Sequence, residues 1–328
     1  MKTPLLYLSA ADVRRALPMS AAIEAMRDAF RQLSGGQVTL PMRERLDAPG
    51  EHGVALVMPC HSIAQKLFSV KFVTVFHENP RRGLPLIQSL VILADGATGE
   101  HLAVMDGAAV TAIRTGAASG VATDLLARPE AAVVAVFGAG VQARTQLEAV
   151  CCVRAIHRAF VYDADPTAAE RFATEMTRQL GLPVERAGTA AKTVKDADVI
   201  CTATTSITPV FEDHHLPPGA HINGVGSYRP DMAEIPSATV CRARVVVDHR
   251  ASALEEAGDL IGPLSQGLIQ QSHIGTELGE ILLGRSPGRR SASEVTLFKS
   301  VGVAIQDLCA AARTLENARR LELGVQLS

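Results

Sequence analysis

At 328 residues, with 47% apolar side chains and a net charge of −2, the chain has material for two globular domains and is too apolar for disorder. The near-neutral balance leaves no basic field for nucleic acid, and zero tryptophan with 4% aromatics argues against a stacking platform for single strands. No apolar run reaches the roughly 18 residues of a membrane span, which leaves small-molecule chemistry as the default.

The opening Met1-Lys-Thr-Pro-Leu-Leu-Tyr7 lacks a signal peptide's long apolar region, so a cytoplasmic location is expected. Cys60, Cys151, Cys152, Cys201, Cys241 and Cys309 have no Cys-x-x-Cys spacing and read as reduced thiols; no metal site is expected.

Ser9-Ala-Ala-Asp12 signals a helix start, and two amphipathic helices fill the first 35 or so residues. Pro18-Met-Ser20 opens the second and Ser34-Gly-Gly36 closes it. The period then changes to that of strands at 54–58, 68–76 and 86–93. Asp95-Gly-Ala-Thr-Gly99 turns the chain into a further strand at 101–105, giving a meander-like sheet. From Gly107 to about Leu126 the pattern is helical, and Gly116, Ala117, Ala118, Ser119 and Gly120 permit close packing.

Strands at 131–137, 159–163, 197–202, 220–225 and 244–248 alternate with helical segments, the pattern of a doubly wound parallel sheet. A final helix is expected at about 294–318. The fold class is α/β: a Rossmann-type domain at 121–299, and a second α+β substrate and dimerisation domain at 1–120 to which 300–328 return.

The apolar run Ala131–Phe137 leads directly into Gly138-Ala-Gly140-Val141-Gln142-Ala143. The first glycine permits a tight turn, the second lets a pyrophosphate approach the backbone, and a small third residue brings helix close to strand. The pyrophosphate then meets the free N–H groups of the helix N-terminus. Asp163 ends the next strand 25 residues after Gly138, close to the spacing at which a carboxylate accepts the ribose hydroxyls. Asp163-Ala-Asp165 offers two carboxylates and no arginine, which favours NADH, with NADPH as the alternative; the competing role for either aspartate is to cap the helix opened by Pro166.

Cofactors lie at the carboxyl ends of such strands, so Thr202 and Thr204 in Cys201–Ser206, and Val225, Gly226 and Ser227 in Val225–Asp231, are expected to face the nicotinamide. In the first domain Arg43, Lys71 and Arg114 are cations in apolar or small-residue settings. Lys71, flanked by Val70 and Phe72, needs an anionic partner or must lose its proton. That partner could be Asp106 or Glu78, or the side chain could point off a wet face of the sheet.

Over nearly its whole length the chain resembles the ornithine cyclodeaminase/μ-crystallin family. The resemblance is carried by Val70-Lys-Phe-Val-Thr74, Leu102–Gly107, Thr111-Ala-Ile-Arg-Thr115, Phe137–Ala143, Pro218–Asn223, Val225–Asp231 and Leu297-Phe-Lys-Ser-Val-Gly302. It implies an NAD(P)-dependent homodimer in which Arg43, Lys71 and Arg114 grip the substrate carboxylate and in which Ser300 and Val301 lie at the cofactor.

Cyclodeaminases of the family are similar to one another in a Gly-Asp-x-Pro-Gly-Lys stretch whose aspartate handles the substrate amine. Here the corresponding stretch is Gly226-Ser-Tyr228-Arg-Pro-Asp231, with tyrosine in that place and Asp231, a candidate catalytic carboxylate, displaced by three residues. This form is similar to that of the cyclic ketimine reductases. Asp163-Ala-Asp165 also replaces the phosphate-reading Asn-Arg-Thr of μ-crystallin.

The implied reaction is reduction of Δ1-pyrroline-2-carboxylate to L-proline, or of the six-membered Δ1-piperideine-2-carboxylate to L-pipecolate. Ornithine cyclodeaminase, alanine dehydrogenase and a non-catalytic cofactor-binding protein are the alternatives.

Overall fold

The computed structural model describes residues 4–76 and 78–327. In chain order its elements begin with β1 (Leu5–Leu8), α1 (Ala10–Ala16), α2 (Met19–Ser34), β2 (Val38–Thr39), β3 (Glu44–Ala48), β4 (Gly53–Ser62), β5 (Leu67–Phe76), β6 (Ile87–Asp95), β7 (His101–Asp106) and α3 (Gly107–Leu126). They continue with β8 (Val133–Phe137), α4 (Val141–Val153), β9 (Arg158–Tyr162), α5 (Pro166–Leu180), β10 (Val184–Arg186), α6 (Ala190–Val194), β11 (Val199–Thr202), β12 (His221–Gly224), α7 (Ser237–Arg242) and β13 (Arg244–Val247). The last are α8 (Arg250–Glu256), α9 (Gly258–Ser265), β14 (Thr276–Glu277), α10 (Leu278–Leu282), β15 (Thr296–Lys299), α11 (Ala304–Arg320) and β16 (Val325–Leu327). No helix among the described residues is long and apolar enough to cross a membrane.

Two compact units result, Met1–Arg114 with Val303–Ser328, and Thr115–Gly302. The division falls inside α3 and at Val303 rather than at 120/121 and 299/300.

In the first unit, Ser9 and Asp12 form the capping box that starts α1: the Asp12 N–H donates to Ser9 Oγ at 3.3 Å and the Ser9 N–H to Asp12 Oδ2 at 3.0 Å. The sheet runs β16-β1-β7-β6-β5-β4-β2, with β3 also on β4. β4 to β7 form the antiparallel meander, whereas β1 joins β7 in parallel, so the sheet is mixed. Because side chains alternate along a strand, β5 sends Ser69, Lys71 and Val75 inward and Phe68, Val70 and Phe72 outward. The inner face packs on α11, which also packs on α2.

The second unit is an all-parallel sheet in the order β10-β9-β8-β11-β12-β15-β13-β14. Its central strands are covered on both faces: Val134 and Val136 pack in one core with Leu147 and Phe172, while Ala135 and Phe137 pack in the other with Ile222 and Leu297. That is why the run at 131–137 is apolar without alternation. In α3, a Cβ on Gly116 would lie 2.3 Å from the Thr145 carbonyl oxygen, so the small residues there do serve close packing on α4.

The expected helix at 294–318 is two elements. Thr296–Lys299 is a fully buried strand between β12 and β13, and the helix begins only at Ala304, after Gly302 at φ +79°. A short apolar run buried on both sides has no period of its own, and with no proline or glycine between Ser293 and Val301 nothing local marks the strand's ends.

Candidate active site

Two clusters of buried charge are built from the residues the motifs single out, one in each unit. In the first, Lys71 sits on the inner face of β5, opposite Met58 of β4 and Val91 of β6. Its Nζ lies 2.7 Å from Asp307 Oδ2, on the first turn of α11. Arg114 Nε donates to Asp307 Oδ1 at 3.1 Å, and its Nη1 donates to Gln306 Oε1 at 2.6 Å. Lys71, Arg114 and Asp307 are 3%, 5% and 1% exposed, so these are ion pairs out of water. Lys71 is thus paired with neither Asp106 nor Glu78, and it does not face solvent.

Burial pushes the Lys71 ammonium down to about 8, a fall that Asp307 limits and that Arg114 and Arg43 deepen. Burial alone would raise the Asp307 carboxyl, yet Lys71, Arg114 and Arg43 hold it below the usual carboxylate range. Lys71 and Arg114 both pair with the one carboxylate, which leaves an excess of positive charge, and Gln306 Nε2 is a buried donor without a partner. Both features suit a small carboxylate ligand.

In the second unit the glycine turn has the shape a dinucleotide needs. Gly138 is at φ +95°, and a Cβ there would lie 2.6 Å from the Ala203 oxygen. At Gly140 a Cβ would meet nothing within 4 Å, so the backbone there faces open space, and no side chain caps the N-terminus of α4 that starts at Val141. Ala143 is fully buried. Gln142, next to it on the first turn, is half-buried. This open, uncapped helix start fits a pyrophosphate.

Asp163 Oδ2 accepts the Ala139 N–H at 2.7 Å and its Oδ1 accepts the Asp165 N–H at 2.8 Å, while Asp165 caps α5 through Thr167. The capping role therefore falls to Asp165, and Asp163 braces the glycine turn.

The expected nicotinamide loops converge on a residue that no motif flagged. Glu234 Oε2 accepts from Thr202 Oγ1 at 2.9 Å, from the Gly226 N–H at 2.7 Å and from the Ser227 N–H at 3.1 Å. Its Oε1 accepts from the Thr204 N–H at 2.6 Å and from Thr204 Oγ1 at 2.8 Å. Thr202 and Ser227 are fully buried, with the Ser227 hydroxyl donating to the Met232 carbonyl, so their side chains support the loops from within.

Ser300 Oγ, the Val301 N–H and the Gly302 N–H all donate to Asp248 Oδ2. Asp231, by contrast, is an exposed side chain in a bidentate pair with Arg229 at 3.0 and 2.9 Å.

The residues missed were Asp307, Gln306 and Glu234. Placing Gln306 and Asp307 within a helix begun ten residues too early hid their position on its first turn. Glu234 lies in a stretch, Pro230–Pro236, with no periodic pattern.

The family model described as ornithine cyclodeaminase/mu-crystallin matches residues 5–322. Delta(1)-pyrroline-2-carboxylate reductase of Bacillus cereus is 39% identical over 322 residues, 98% of this chain and 98% of that protein. The structure of Thermococcus litoralis Delta(1)-pyrroline-2-carboxylate reductase in complex with NADH and L-proline superposes with a TM-score of 0.95 at 40% identity, covering 98% of this chain and 100% of that one. An archaeal alanine dehydrogenase dimer with bound NAD has a TM-score of 0.93 at 32% identity and covers 99% of each chain.

Proposed function

Because this chain belongs to the ornithine cyclodeaminase/mu-crystallin family, we propose that it is an NADH-dependent imine reductase that converts Δ1-pyrroline-2-carboxylate to L-proline. The observation that carries the substrate class is the excess positive charge of Lys71 and Arg114 on Asp307, a carboxylate that Arg43 also acts on. A cyclic imino acid has one carboxylate to match it, and a charged hydrogen bond to that group is stronger than a neutral one.

NADH, when bound, supplies the hydride. The chain's own part is to orient the substrate by its carboxylate, which can contribute on the order of 7 kcal/mol when donor and acceptor are held at near-contact distance. The reduction also takes up one proton at nitrogen, and Lys71, with its pKa brought down to about 8, is suited to release one near neutral pH. Asp307 keeps the ammonium charged and fixed in place. NADH is preferred over NADPH because Asp163 and Asp165 would repel a 2′-phosphate.

Tyr228, where cyclodeaminases place an aspartate, argues against ornithine cyclisation. The displaced Asp231 does not restore that aspartate, being exposed and paired with Arg229. Lys71, Arg43 and Arg114 are therefore the residues we assign to the reaction.

The working form we propose is a homodimer in the cytoplasm. The outer face of the first unit's sheet supports the dimer: Phe68, Phe72, Leu90 and Ile92 are 39–45% exposed, and strand register sets Val70 beside Ile92 and Phe72 beside Leu90 as one apolar surface. The occupant proposed for it is a second copy of this chain, and the similar archaeal structure is described as a dimer. The six cysteines, all free, fit a reducing compartment.

The test is oxidation of NADH and of NADPH by purified protein with Δ1-pyrroline-2-carboxylate, Δ1-piperideine-2-carboxylate, or pyruvate plus ammonia, beside an assay of ammonia release from ornithine. Fast NADH oxidation with the five-membered imine is expected. Turnover only with pyruvate plus ammonia, or only of ornithine, would overturn the assignment.

A further inference from the structure

Below the carboxyl ends of β11, β12 and β15 lies a buried charge cluster that the reaction as described does not use. Lys299 Nζ is 3.0 Å from Asp259 Oδ2 and donates to the Gly224 carbonyl at 3.2 Å. Asp259 Oδ1 accepts the N–H groups of Glu234 at 2.6 Å and Ile235 at 3.0 Å. Glu234 accepts the five bonds that join the loop after β11 to the loop after β12. Glu234 and Lys299 are wholly enclosed and Asp259 is 2% exposed.

Burial and the neighbouring Asp259 push the Glu234 carboxyl up, while Lys299 and the Thr204 bonds oppose that rise; three of its five bonded groups are backbone N–H groups, obligate donors that favour the ionised form. The fit is close enough that a Cβ on Gly226 would lie 2.4 Å from Glu234 Oε1. Against these two carboxylates stands one ammonium, which leaves one uncompensated negative charge.

With NADH taken as the cofactor, a reading on which this role for the cluster rests, we propose that Glu234 is a positioning residue with an electrostatic duty: it fixes the two nicotinamide loops and holds a net negative charge that favours the cationic, oxidised ring. In a doubly wound sheet the ring lies at the carboxyl ends of these strands. When hydride leaves a neutral dihydropyridine the ring becomes a pyridinium, gaining one positive charge as the substrate carbon gains the hydride. A fixed anion in a dry site assists that change without reorganising. The loops thereby make bound NADH a stronger hydride donor than a neutral cage would.

Affinities for NAD and for NADH, measured by calorimetry and by NADH fluorescence, decide the matter without turnover. Glu234→Gln and Asp259→Asn each remove one negative charge; each is expected to weaken NAD relative to NADH on the order of tenfold. Thr202→Val removes a hydrogen bond and keeps the charge, so it is expected to leave the ratio unchanged even if both affinities fall.

Unchanged ratios in both charge variants, or loss of both ligands from folded protein in equal measure, would show a purely structural role and overturn the proposal. If one charge variant fails to fold, the other decides; failure of both assigns the cluster to stability alone, which also overturns it. Wild-type protein that binds neither NADH nor NAD would instead overturn the choice of cofactor.

Discussion

The two buried clusters combine cations and carboxylates in opposite proportion. In the first unit Lys71 and Arg114 outnumber Asp307; in the second, Glu234 and Asp259 outnumber Lys299. Burying an ion pair rarely stabilises a protein compared with apolar packing, because desolvation cancels most of the attraction. On the roles proposed above, the value of each arrangement lies in the unbalanced charge it keeps ready: positive for a carboxylate in one unit, negative for a pyridinium in the other. What sets one apart from the other is whether the odd charge sits on side chains that a ligand can touch or beneath loops that a ligand rests upon.

Removing the carboxylate from the first cluster should break it most severely. Asp307→Ala leaves Lys71 and Arg114 buried without their counter-ion and is expected to cost about 3–5 kcal/mol of stability, read as the urea midpoint. Next comes Lys71→Met, expected to lower kcat/KM for the imino acid at least about a hundredfold, through loss of a charged hydrogen bond. The NADH dissociation constant should stay the same in that variant, and unchanged kinetics would remove Lys71 from the site.

The pH profile sharpens the contrast. In the proposed role Lys71 acts as the cation, and its pKa is brought from 10.5 to about 8, so kcat/KM should fall as pH rises through about 8 and be retained below it. In Lys71→Arg that limb should move upward, because a guanidinium keeps its proton; a limb at the same pH in both proteins would place the titration elsewhere. The smallest effect concerns the second unit. Gly140→Ala should leave thermal stability intact, since its Cβ meets no atom within 4 Å, yet weaken NADH roughly tenfold by crowding the pyrophosphate's hydrogen bonds.

Local signals were legible wherever one residue type has a dedicated physical use. The glycine turn, the Ser9–Asp12 capping box and the small residues of α3 follow from backbone freedom and helix-end chemistry, and the structure has each at its expected place. Arg43, Lys71 and Arg114 stood out because isolated cations among apolar neighbours demand a partner. Their partner did not: Arg114 and Asp307 are 193 residues apart, and only the packing of α11 on the inner face of β5 brings them together. β15 was unreadable for the same reason, since its place is set by β12 and β13 rather than by its own pattern. The network around Glu234 depends on where two loops and the start of α9 meet, which no local window contains.

β5 serves two masters with alternate residues, Lys71 inward and Val70 and Phe72 outward. A strand's period of two makes it a ruler shared by both faces: deleting one residue before Lys71 would turn the ammonium toward the apolar surface and a phenylalanine toward Asp307. Substitution can adjust either face alone, but insertion or deletion cannot. The length of chain from the start of β5 to Lys71 is therefore frozen jointly by the apolar outer face and by the buried ion pair with Asp307.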